Sequence, residues 1–525
     1  MSRKTPSFIV ELPLDASAGD ERRLLGIFTA GARLLNTVLQ DGLSTLEAMR
    51  ADPRWAEART LRGASKAHRL ARQELFSAVR ADHGFSEYAF QALATSHKNA
   101  AGFSDRLGSH VTQKLGSRVF SALEEHLYGK RGRPRFKGHK RPLHSLEGKN
   151  NETALRWSED DGCVYMNAQW AIRAKLPDLR RDEWLWSALQ APTKYCRVLW
   201  RNVRGQRRWF VQLVQEGLTP LKATLAEKLT HVPEGAAAGI DIGPSTLAWR
   251  TENDAGVYRF CAEVDAPQAL VRRLQRQVDR QRRANNLDNF DEAGRARRGE
   301  RNWVVSARQR AVESRLAAAQ THVAECRANA HGRDINNLLC SARTFRHDGV
   351  SAKALQKQYG RSVGARAPGR FMSELKRKAE RAGGGSLAVN VRQLKTSQYD
   401  HSTGEFSKKS LSQRWHVFGD GRGRVQRDVY SAFLALHAIV DDKCNWSYDT
   451  AALDAAWQKL EPALRSRGLF KTQHDVGSPS EEGASIAPSA RKDKSSSCKA
   501  PGLASVPGCV ARGAARARMV HPQPV

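Results

Sequence analysis

The stretch AAAGIDIGPSTLAWRTENDAGVYRFC, residues 236–261, decides the fold of the C-terminal half. Residues 236–241 are predicted to form a buried strand and residues 246–251 a second one, because both runs are largely apolar and short. A turn signal at 253–256 then precedes a third strand over 257–261. Three consecutive antiparallel strands that open a domain indicate an RNase H-like sheet.

Two acidic residues of this half stand in apolar surroundings. Asp241 lies in the last part of the first strand, where a charge is costly unless it is paired or binds a metal ion. Asp428 opens an amphipathic helix in QRDVYSAFL, residues 426–434. Each has a structural alternative, since Asp241 can bond a turn amide and Asp428 can cap its helix or complement the helix dipole. The residues alone leave these alternatives open.

The charge of the chain points to a polyanionic partner. The 525 residues include 86 Lys and Arg against 54 Asp and Glu, a formal net charge of +32. Such a surface attracts nucleic acid, and a hydrophobic fraction of 40% supports two or three domains with cores of their own. No apolar run is long enough for a membrane span or follows the start as in a secretory signal. We therefore expect a cytoplasmic, nucleoid-associated bacterial protein with no membrane partner.

Two basic segments are candidates for nucleic-acid contacts. Residues 130–141 contain seven Lys and Arg, no acid, and glycines and a proline that interrupt any helix, so we expect them to track phosphates. Residues 270–283 are predicted to form a basic helix with Leu274 and Val278 on its buried stripe. A solvated loop and a solvated helix face are the alternatives. The candidate contact residues are Lys130, Arg131, Arg133, Arg135, Phe136, Lys137, Lys140, Arg141, Arg272, Arg273, Arg276, Arg280, Arg282 and Arg283.

The N-terminal half is predicted to combine helices with strands. A strand at Phe8–Leu12 is followed by a helix-start signal at Ser17, and the chain from there to Tyr128 should be mostly helical. Residues 150–217 alternate strand-like runs with turn signals, which indicates a small β-domain or barrel. Beyond Ser466 the sequence has little periodicity and predicts a disordered basic tail.

Several longer motifs resemble the TnpB (OrfB) family of insertion-sequence proteins. They stand in the family's order over roughly 236–440, and the resemblance extends more weakly to PRFK at 134–137. The motifs are GIDIG (239–243), LQRQVDRQRRANN (274–286), QKQYGRSVGARAPG (356–369), LSQRWH (411–416) and QRD (426–428) with the helix that follows.

This resemblance implies a transposon-encoded, RNA-guided DNA endonuclease related to the type V CRISPR effectors, with guide RNA and target double-stranded DNA as partners. The implied fold class is multidomain α/β plus β-barrel, and three split carboxylates of its RuvC-like domain hold two Mg²⁺ ions for phosphodiester cleavage. The implied domains are the first wedge strand at 1–16, a helical recognition domain at 17–128, a β-barrel wedge domain with the basic segment at 129–232, the RuvC-like domain at 236–465 and the tail at 466–525.

Carried over by position, Asp241 matches the first family acid and Asp428 the third. The second is normally a Glu at a fixed distance before the QKQYG motif, and that position here holds Asp348. Asp is one methylene shorter than Glu, and a displacement of order 1 Å in an active site can lower a rate about 100-fold. The run 341–347 before it is also more polar than a buried strand should be, so a plain loop acid is the alternative.

The family's zinc ribbon is absent from this chain. The region 396–425, where the family places two pairs of cysteines, contains no cysteine, and no two of the eight cysteines of the chain have ribbon spacing. Four side chains there offer oxygen or nitrogen instead: Asp400, His401, His416 and Asp420. Because structural Zn²⁺ sites favour thiolate and imidazole ligands, we expect a metal-free loop and no zinc.

Three functions stay open on the sequence. A complete set of three acids favours an active or formerly active nuclease. The shortened second acid and the missing ribbon favour a nuclease-impaired RNA-guided DNA-binding protein that acts as a repressor or persists as a remnant. A transposase that joins DNA strands by itself would need a tyrosine nucleophile with a His-x-His metal pair, and the sequence contains no such pair.

Overall fold

The chain forms two compact units that meet in sequence between Lys222 and Ala223. The computed structural model describes residues 5–61, 63, 65–138, 142–153, 155–167, 169–203, 205–299, 302–349, 352–410 and 412–472. Lys140, Arg141 and residues 473–525 of the predicted tail therefore lie outside the described residues. None of the helices in the described ranges combines the length and the apolar character that a membrane crossing requires.

The N-terminal unit begins with a strand and five helices. They are β1 (Ser7–Pro13), α1 (Ala18–Ala51), α2 (Pro53–Thr60), α3 (Lys66–Asp82), α4 (Glu87–Ala100) and α5 (Ser109–Leu127). A capping box starts α1, because Ser17 Oγ accepts from the Asp20 amide at 3.1 Å and Asp20 Oδ2 accepts from the Ser17 amide at 3.0 Å. The stretch up to Tyr128 is thus mostly helical, in agreement with the sequence.

Two open antiparallel sheets complete this unit. Their elements are β2 (Ser145–Glu147), β3 (Arg156–Ser158), β4 (Cys163–Asn167), β5 (Trp170–Arg173), α6 (Glu183–Leu189), β6 (Thr193–Val203) and β7 (Gln206–Glu216). The strand orders are β1-β7-β6-β2 and β3-β4-β5, joined by a single bridge between Leu14 and Ala174. The described residues do not form the expected closed barrel, because the edge strands β2 and β3 have 3 residues each, too few for a closing ladder.

The C-terminal unit contains eight helices and ten strands among its described residues. The helices are α7 (Ala223–Thr230), α8 (Asp265–Ala284), α9 (Ala307–Leu339), α10 (Ala352–Arg366), α11 (Pro368–Arg381), α12 (Val391–Leu394), α13 (Arg427–His437) and α14 (Thr450–Ser466). The strands are β8 (Ala237–Ile242), β9 (Thr246–Arg250), β10 (Ala255–Arg259), β11 (Thr344–Asp348), β12 (Gly385–Val389), β13 (Trp415–Val417), β14 (Arg424–Gln426), β15 (Ile439–Val440), β16 (Trp446–Ser447) and β17 (Phe470–Lys471).

A five-stranded mixed sheet is the centre of this unit. Its strand order is β10-β9-β8-β11-β12. The strands β8, β9 and β10 pair antiparallel with one another, as residues 236–261 predict, and β11 runs parallel to both β8 and β12. The strand β11 is therefore an interior strand of the sheet, although its sequence is polar. Its Arg346 is satisfied there, because the guanidinium donates to the carbonyl oxygens of Leu436, at 3.1 Å, and Ala438, at the C-terminal end of α13.

Helix α13 packs directly on this sheet through a glycine of β8. A Cβ atom at Gly239 would collide with the carbonyl oxygen of Ala432 in the helix. The absence of a side chain at this position lets the helix backbone reach the sheet, which brings the first turn of α13 close to the ends of β8 and β11.

A second core lies between α13, α14 and the small sheet β13-β14-β17. Its centre includes Tyr430 and Trp457, which are almost fully buried. Phe470 of β17 is also buried, and β17 pairs with β14, so residues 466–472 belong to the folded unit. The predicted tail boundary at 466 is therefore too early, because buried aromatic contacts hold this short strand.

Candidate active site

Asp241 is the fifth residue of β8 and lies where the strand approaches its end. The side chain is partly exposed, but protein atoms crowd its carboxylate. Burial raises the pKa of Asp241 well above its usual range, and the neighbouring carboxylates of Asp348 and Asp428 raise it further. Arg427 acts in the opposite direction, since its positive charge favours the ionised acid.

Asp348 ends the neighbouring parallel strand β11. Because His347 pairs with Ile240 in the register of β8 and β11, Asp348 follows beside Asp241 at the same edge of the sheet. The hydroxyl of Thr396 lies 3.3 Å from Asp348 Oδ1 and 3.1 Å from Oδ2. Burial raises the pKa of Asp348 to about 7, with Asp428 adding to the increase and the Thr396 hydrogen bond opposing it. Asp348 is thus a strand-end residue beside Asp241 rather than an isolated loop acid.

Asp428 lies in the first turn of α13 and is 8% exposed. It is not the helix cap, because the Gln426 side chain accepts the hydrogen bond from the Val429 amide at 2.7 Å. Nε and Nη2 of Arg427 each lie 3.3 Å from Asp428 Oδ1. The same guanidinium donates to the carbonyl oxygens of Gln413, at 2.9 Å, and Ser410, at 3.3 Å.

These three acids are far apart in sequence and close in the folded unit. Each of Asp348 and Asp428 contributes to the raised pKa of Asp241, which places all three carboxylates within electrostatic reach of one another. Within the described ranges, no three acidic, histidine or cysteine side chains are arranged as a ready ligand group for a metal ion. The arrangement is therefore a cluster of neighbouring carboxylates in which hydrogen bonds and Arg427 occupy part of the oxygens.

The polar residues of 396–425 have a different environment. Asp400 Oδ2 accepts from the Gly419 amide at 2.8 Å and lies 3.4 Å from His416 Nε2, and Oδ1 accepts from the Ser402 amide at 2.9 Å. Burial opposes ionisation of Asp400, but these hydrogen bonds outweigh it and hold its pKa well below the usual range. The buried His401 contacts the Tyr430 hydroxyl through Nδ1 at 2.8 Å.

The basic segment after α5 is an open groove on the N-terminal unit. Residues 131–137 line this groove of about 490 Å³. The backbone is fixed to α1, because Asn36 donates to the carbonyl oxygen of Lys137 at 2.8 Å and accepts from its amide at 2.7 Å. Phe136 is 46% exposed among the charges. The exposed basic residues of the segment are Lys130, Arg131, Arg133 and Arg135.

The predicted arginine face of α8 is present on the C-terminal unit. Val271 and Leu274 are buried, and the arginines at 272, 273, 276, 280, 282 and 283 are exposed. Arg282 stacks on Trp303 with 3.9 Å between its guanidinium carbon and the ring centroid. Arg283 is held by Asp279 at 2.9 Å and by the carbonyl oxygen of Gly294 at 2.7 Å. The last two arginines are thus oriented by the protein itself.

The contacts of two residues, Thr396 at this site and Arg366 in the fold around it, were not predictable from the sequence. Thr396 is 48 positions from Asp348, and no local pattern links them. Arg366 of the QKQYG-containing motif is 6% exposed and bonds the Phe260 carbonyl oxygen at 2.9 Å and Asp265 Oδ1 at 2.5 Å. The motif therefore fixes the turn before α11, where Ala367 has a φ of 49°.

Comparisons with known proteins give weak structural likenesses. No protein-family model matches the sequence, and no curated protein matches it. The chain is similar to one of a cryo-EM structure of a Cas12f1–sgRNA–target DNA complex, with a TM-score of 0.39 and 12% identity over 83% of this chain and 99% of that chain. A chain of a cryo-EM CRISPR-Cas12f ternary complex gives a TM-score of 0.25 and 11% identity over 82% and 87%. Both TM-scores are too low to decide the fold or the function of this chain.

Proposed function

We propose that this protein is a transposon-encoded, RNA-guided DNA endonuclease of the TnpB type, with an RNase H-like (RuvC) domain in its C-terminal unit. The observation that carries this proposal is the meeting of Asp241, Asp348 and Asp428 at one end of the mixed sheet. Two of these acids have raised pKa values because protein atoms and other carboxylates surround them. Acids held together in this way are typical of catalytic sites that use divalent metal ions.

The chemistry of the donor set fits Mg²⁺. Carboxylate oxygens are the protein ligands that Mg²⁺ prefers, and the residues that would hold it are Asp241, Asp348 and Asp428. Two bound ions would activate a water molecule and stabilise the leaving oxygen of the phosphodiester. The fold positions these acids. The strand register places Asp241 beside Asp348, and the hydrogen bond from Thr396 orients the Asp348 carboxylate.

Arg427 orients the third acid. Its guanidinium joins Asp428 to the carbonyl oxygens of Ser410 and Gln413, so the carboxylate is tethered to the segment before β13. The contact to Asp428 Oδ1 also competes with a cation for this oxygen. Arg427 is thus a positioning residue that partly balances the charge of the cluster.

The basic surfaces supply the proposed contacts to guide RNA and target DNA. Residues 131–137 form a positively charged groove with an exposed aromatic ring, a combination that suits a nucleic-acid backbone with stacked bases. The exposed arginines of α8 add a second surface for phosphates. Base pairing with the guide would supply the sequence specificity, while these surfaces bind the backbone.

A second function is favoured by one specific observation. Asp348 stands at the position where the TnpB family has the longer Glu. This favours an RNA-guided DNA-binding protein with impaired cleavage, acting as a repressor or persisting as a remnant.

The test is a reconstitution with the native RNA. The protein is co-expressed with its own locus, the bound RNA is sequenced, and Mg²⁺-dependent cleavage of a matching plasmid with a randomised flank is measured. Asp241→Ala is compared with Asp442→Ala, which removes an exposed acid of the same unit. We expect cleavage by the wild type and by the Asp442 variant, and loss of cleavage of about 1000-fold or more in the Asp241 variant.

Each outcome separates the candidate functions. Guided binding without cleavage by the wild type would favour the repressor. Cleavage that survives Asp241→Ala would contradict the proposed acid site, and failure to retain any discrete RNA would contradict both functions.

A further inference from the structure

Tyr448 of the C-terminal unit has a buried hydroxyl group without a hydrogen bond. The residue follows the hairpin of β15 and β16 and stands directly before Asp449, which caps α14 by accepting from the Ala452 amide at 3.1 Å. Tyr448 as a whole is partly exposed, but its hydroxyl oxygen is buried and has no hydrogen-bond partner among the described residues. Since buried polar groups are nearly always paired, an unpaired hydroxyl indicates a partner that forms under other conditions.

The packing of Tyr448 places this residue beside the acid cluster. Its side chain packs against the small core that contains Val389 and Leu394. Val389 pairs with Asp348 in the register of β11 and β12. Leu394 lies two residues before Thr396, whose hydroxyl contacts the Asp348 carboxylate at 3.1 Å. Tyr448 therefore rests on the neighbours of Asp348 from two different elements.

The charge of Asp348 reaches the Tyr448 hydroxyl. Burial raises the pKa of Tyr448, and the Asp348 carboxylate raises it further. A negative charge acts in this way because it opposes the ionised phenolate. The neutral phenol keeps its proton and can donate it in a hydrogen bond, whereas an ionised carboxylate can only accept one.

A second tyrosine holds the ring of Tyr448 in place. The rings of Tyr399 and Tyr448 are stacked, with 4.7 Å between their centroids and 14° between their planes. The two hydroxyls are influenced by different acids, because Asp400 and Asp454 raise the pKa of Tyr399 whereas Asp348 acts on Tyr448. The stack thus offers a matched pair of hydroxyls, of which one is near the acid cluster.

We propose that Tyr448 is a positioning residue of the acid cluster, and that its hydroxyl donates a hydrogen bond to Asp348 when the cluster holds a metal ion. The inference rests on the metal site of the proposed function. It adds a residue that lies outside all of the motifs shared with the TnpB family.

The geometry of Asp348 explains the need for a second donor. The Thr396 hydroxyl lies 3.3 Å from Oδ1 and 3.1 Å from Oδ2, so a cation that takes one of these oxygens weakens the contact. Asp348 is also shorter than a Glu, so it has less freedom to satisfy a cation and Thr396 together. The Tyr448 hydroxyl would keep the carboxylate oriented without competing for the ion, as outer hydrogen-bond partners of metal ligands do.

The experiment compares Tyr448→Phe with Tyr399→Phe, because each variant removes one hydroxyl and keeps the stacked ring. Mg²⁺ binding to the full-length protein, freed of nucleic acid, is measured by titration calorimetry. We expect about 10-fold weaker Mg²⁺ binding in Tyr448→Phe and unchanged binding in Tyr399→Phe. The melting temperature of Tyr448→Phe without Mg²⁺ should stay close to that of the wild type, because its hydroxyl has no hydrogen bond to lose.

A second measurement reports on the environment of the hydroxyl itself. 3-Fluorotyrosine is incorporated in place of Tyr448 or of Tyr399, and the fluorine NMR signal is followed while Mg²⁺ is added. We expect the signal from position 448 to move with Mg²⁺ and the signal from position 399 to stay. A tyrosine that only fills space would give no such difference between the two positions.

Equal Mg²⁺ affinities of the wild type and Tyr448→Phe would overturn the proposal, and so would equal losses in the two Phe variants. In the cleavage assay, Tyr448→Phe should need about 10-fold more Mg²⁺ for half of its maximal rate and reach the wild-type rate at saturation. Asp241→Asn should not recover in this way.

The role of Tyr448 and the proposed endonuclease fail separately. Mg²⁺ binding that depends on Tyr448 without any cleavage would contradict only the endonuclease. Cleavage with an unchanged Mg²⁺ requirement in Tyr448→Phe would contradict only the role of Tyr448. A wild type that binds no Mg²⁺ would contradict both.

Discussion

Two regions of the C-terminal unit surround acids with protein atoms, with opposite effects on the pKa values of these acids. At the end of the mixed sheet, Asp241 and Asp348 are surrounded by protein and by further carboxylates, and their pKa values are raised. In the region 396–425, Asp400 accepts hydrogen bonds from Ser402 and from the amide of Gly419, and its pKa is lowered despite burial.

The difference distinguishes an acid that stabilises the fold from the acids of the proposed site. An acid with several donors stabilises the fold in its ionised form, whereas acids that face each other oppose ionisation and reduce stability at neutral pH. A chain keeps such an unfavourable cluster only where another requirement outweighs stability, as at a site that binds cations. The raised pKa values therefore support the sheet end as the proposed functional site, whereas Asp400 is held in its ionised form by hydrogen bonds within the fold.

The largest expected effect is on cleavage at the sheet end. Asp241→Asn should lower the single-turnover cleavage rate about 1000-fold or more, because it removes one of the three carboxylates of the proposed metal site. The free energy of unfolding at neutral pH should stay unchanged or rise, since the amide ends the repulsion with Asp348 and Asp428. Single-turnover cleavage and denaturant unfolding, measured for this variant and for Asp442→Asn, check the two statements. A clear loss of stability with the loss of cleavage would place Asp241 among the structural acids.

In contrast to Asp241→Asn, Asp400→Asn should lower the stability of the folded state. The variant weakens the charge-assisted hydrogen bonds from Ser402 and Gly419, so we expect a loss of about 2–3 kcal/mol in the free energy of unfolding. For a unit of this size the melting temperature should fall by roughly 5–10 °C. Asp420→Asn is the control, because this acid bonds the partly exposed Arg422 and should change stability by less than about 1 kcal/mol. Equal effects of the two variants would contradict the assigned role of Asp400.

Asp348 should make stability depend on pH in a defined window. Its pKa is raised from 3.8 to about 7 by burial and by Asp428. The folded state therefore binds this proton more tightly than the unfolded chain does, so protonation of Asp348 stabilises the folded state. This stabilisation is fully present below about pH 4 and is lost as the pH rises to about 7. Asp348→Asn should remove a decrease of about 3–4 kcal/mol in the free energy of unfolding over this window. Unfolding curves at several pH values measure it, with Asp442→Asn as reference, and an unchanged pH profile would count against a raised pKa at Asp348.

The two regions also differ in what the sequence predicts about them. The apolar run before Asp241 and the turn signals after it are local patterns, so the first three strands of the sheet follow from the sequence. The placement of Asp348 required the resemblance to a family, because its strand is polar. The reason for that polarity lies 90 residues away, where Arg346 bonds the Leu436 carbonyl oxygen at the end of α13.

Hydrogen bonds between residues that are far apart in the sequence account for the features that the sequence did not reveal. Nothing near Thr396 in the sequence indicates its bond to Asp348, and nothing near His401 indicates its partner Tyr430. The closed barrel predicted for the N-terminal unit was wrong for a related reason, because alternation predicts strands but not whether short edge strands pair. The basic character of the two segments was predictable, since Lys and Arg far outnumber acidic residues in both of them.

The smallest expected effect is that of metal ions on thermal stability. It tests directly whether the acids at the sheet end and those near Asp400 differ in metal binding. Mg²⁺ at ten times its dissociation constant should stabilise the nucleic-acid-free protein by about 1.4 kcal/mol, or roughly 3–5 °C, because it binds the folded acid cluster and not the unfolded chain. Asp241→Asn should abolish this increase. A zinc chelator should leave the melting temperature of the wild type unchanged, since Asp400 and His416 already contact each other at 3.4 Å. A fall with the chelator would mean that 396–425 depends on a structural metal ion, and an equal Mg²⁺ effect in Asp241→Asn would place the ion away from the sheet end.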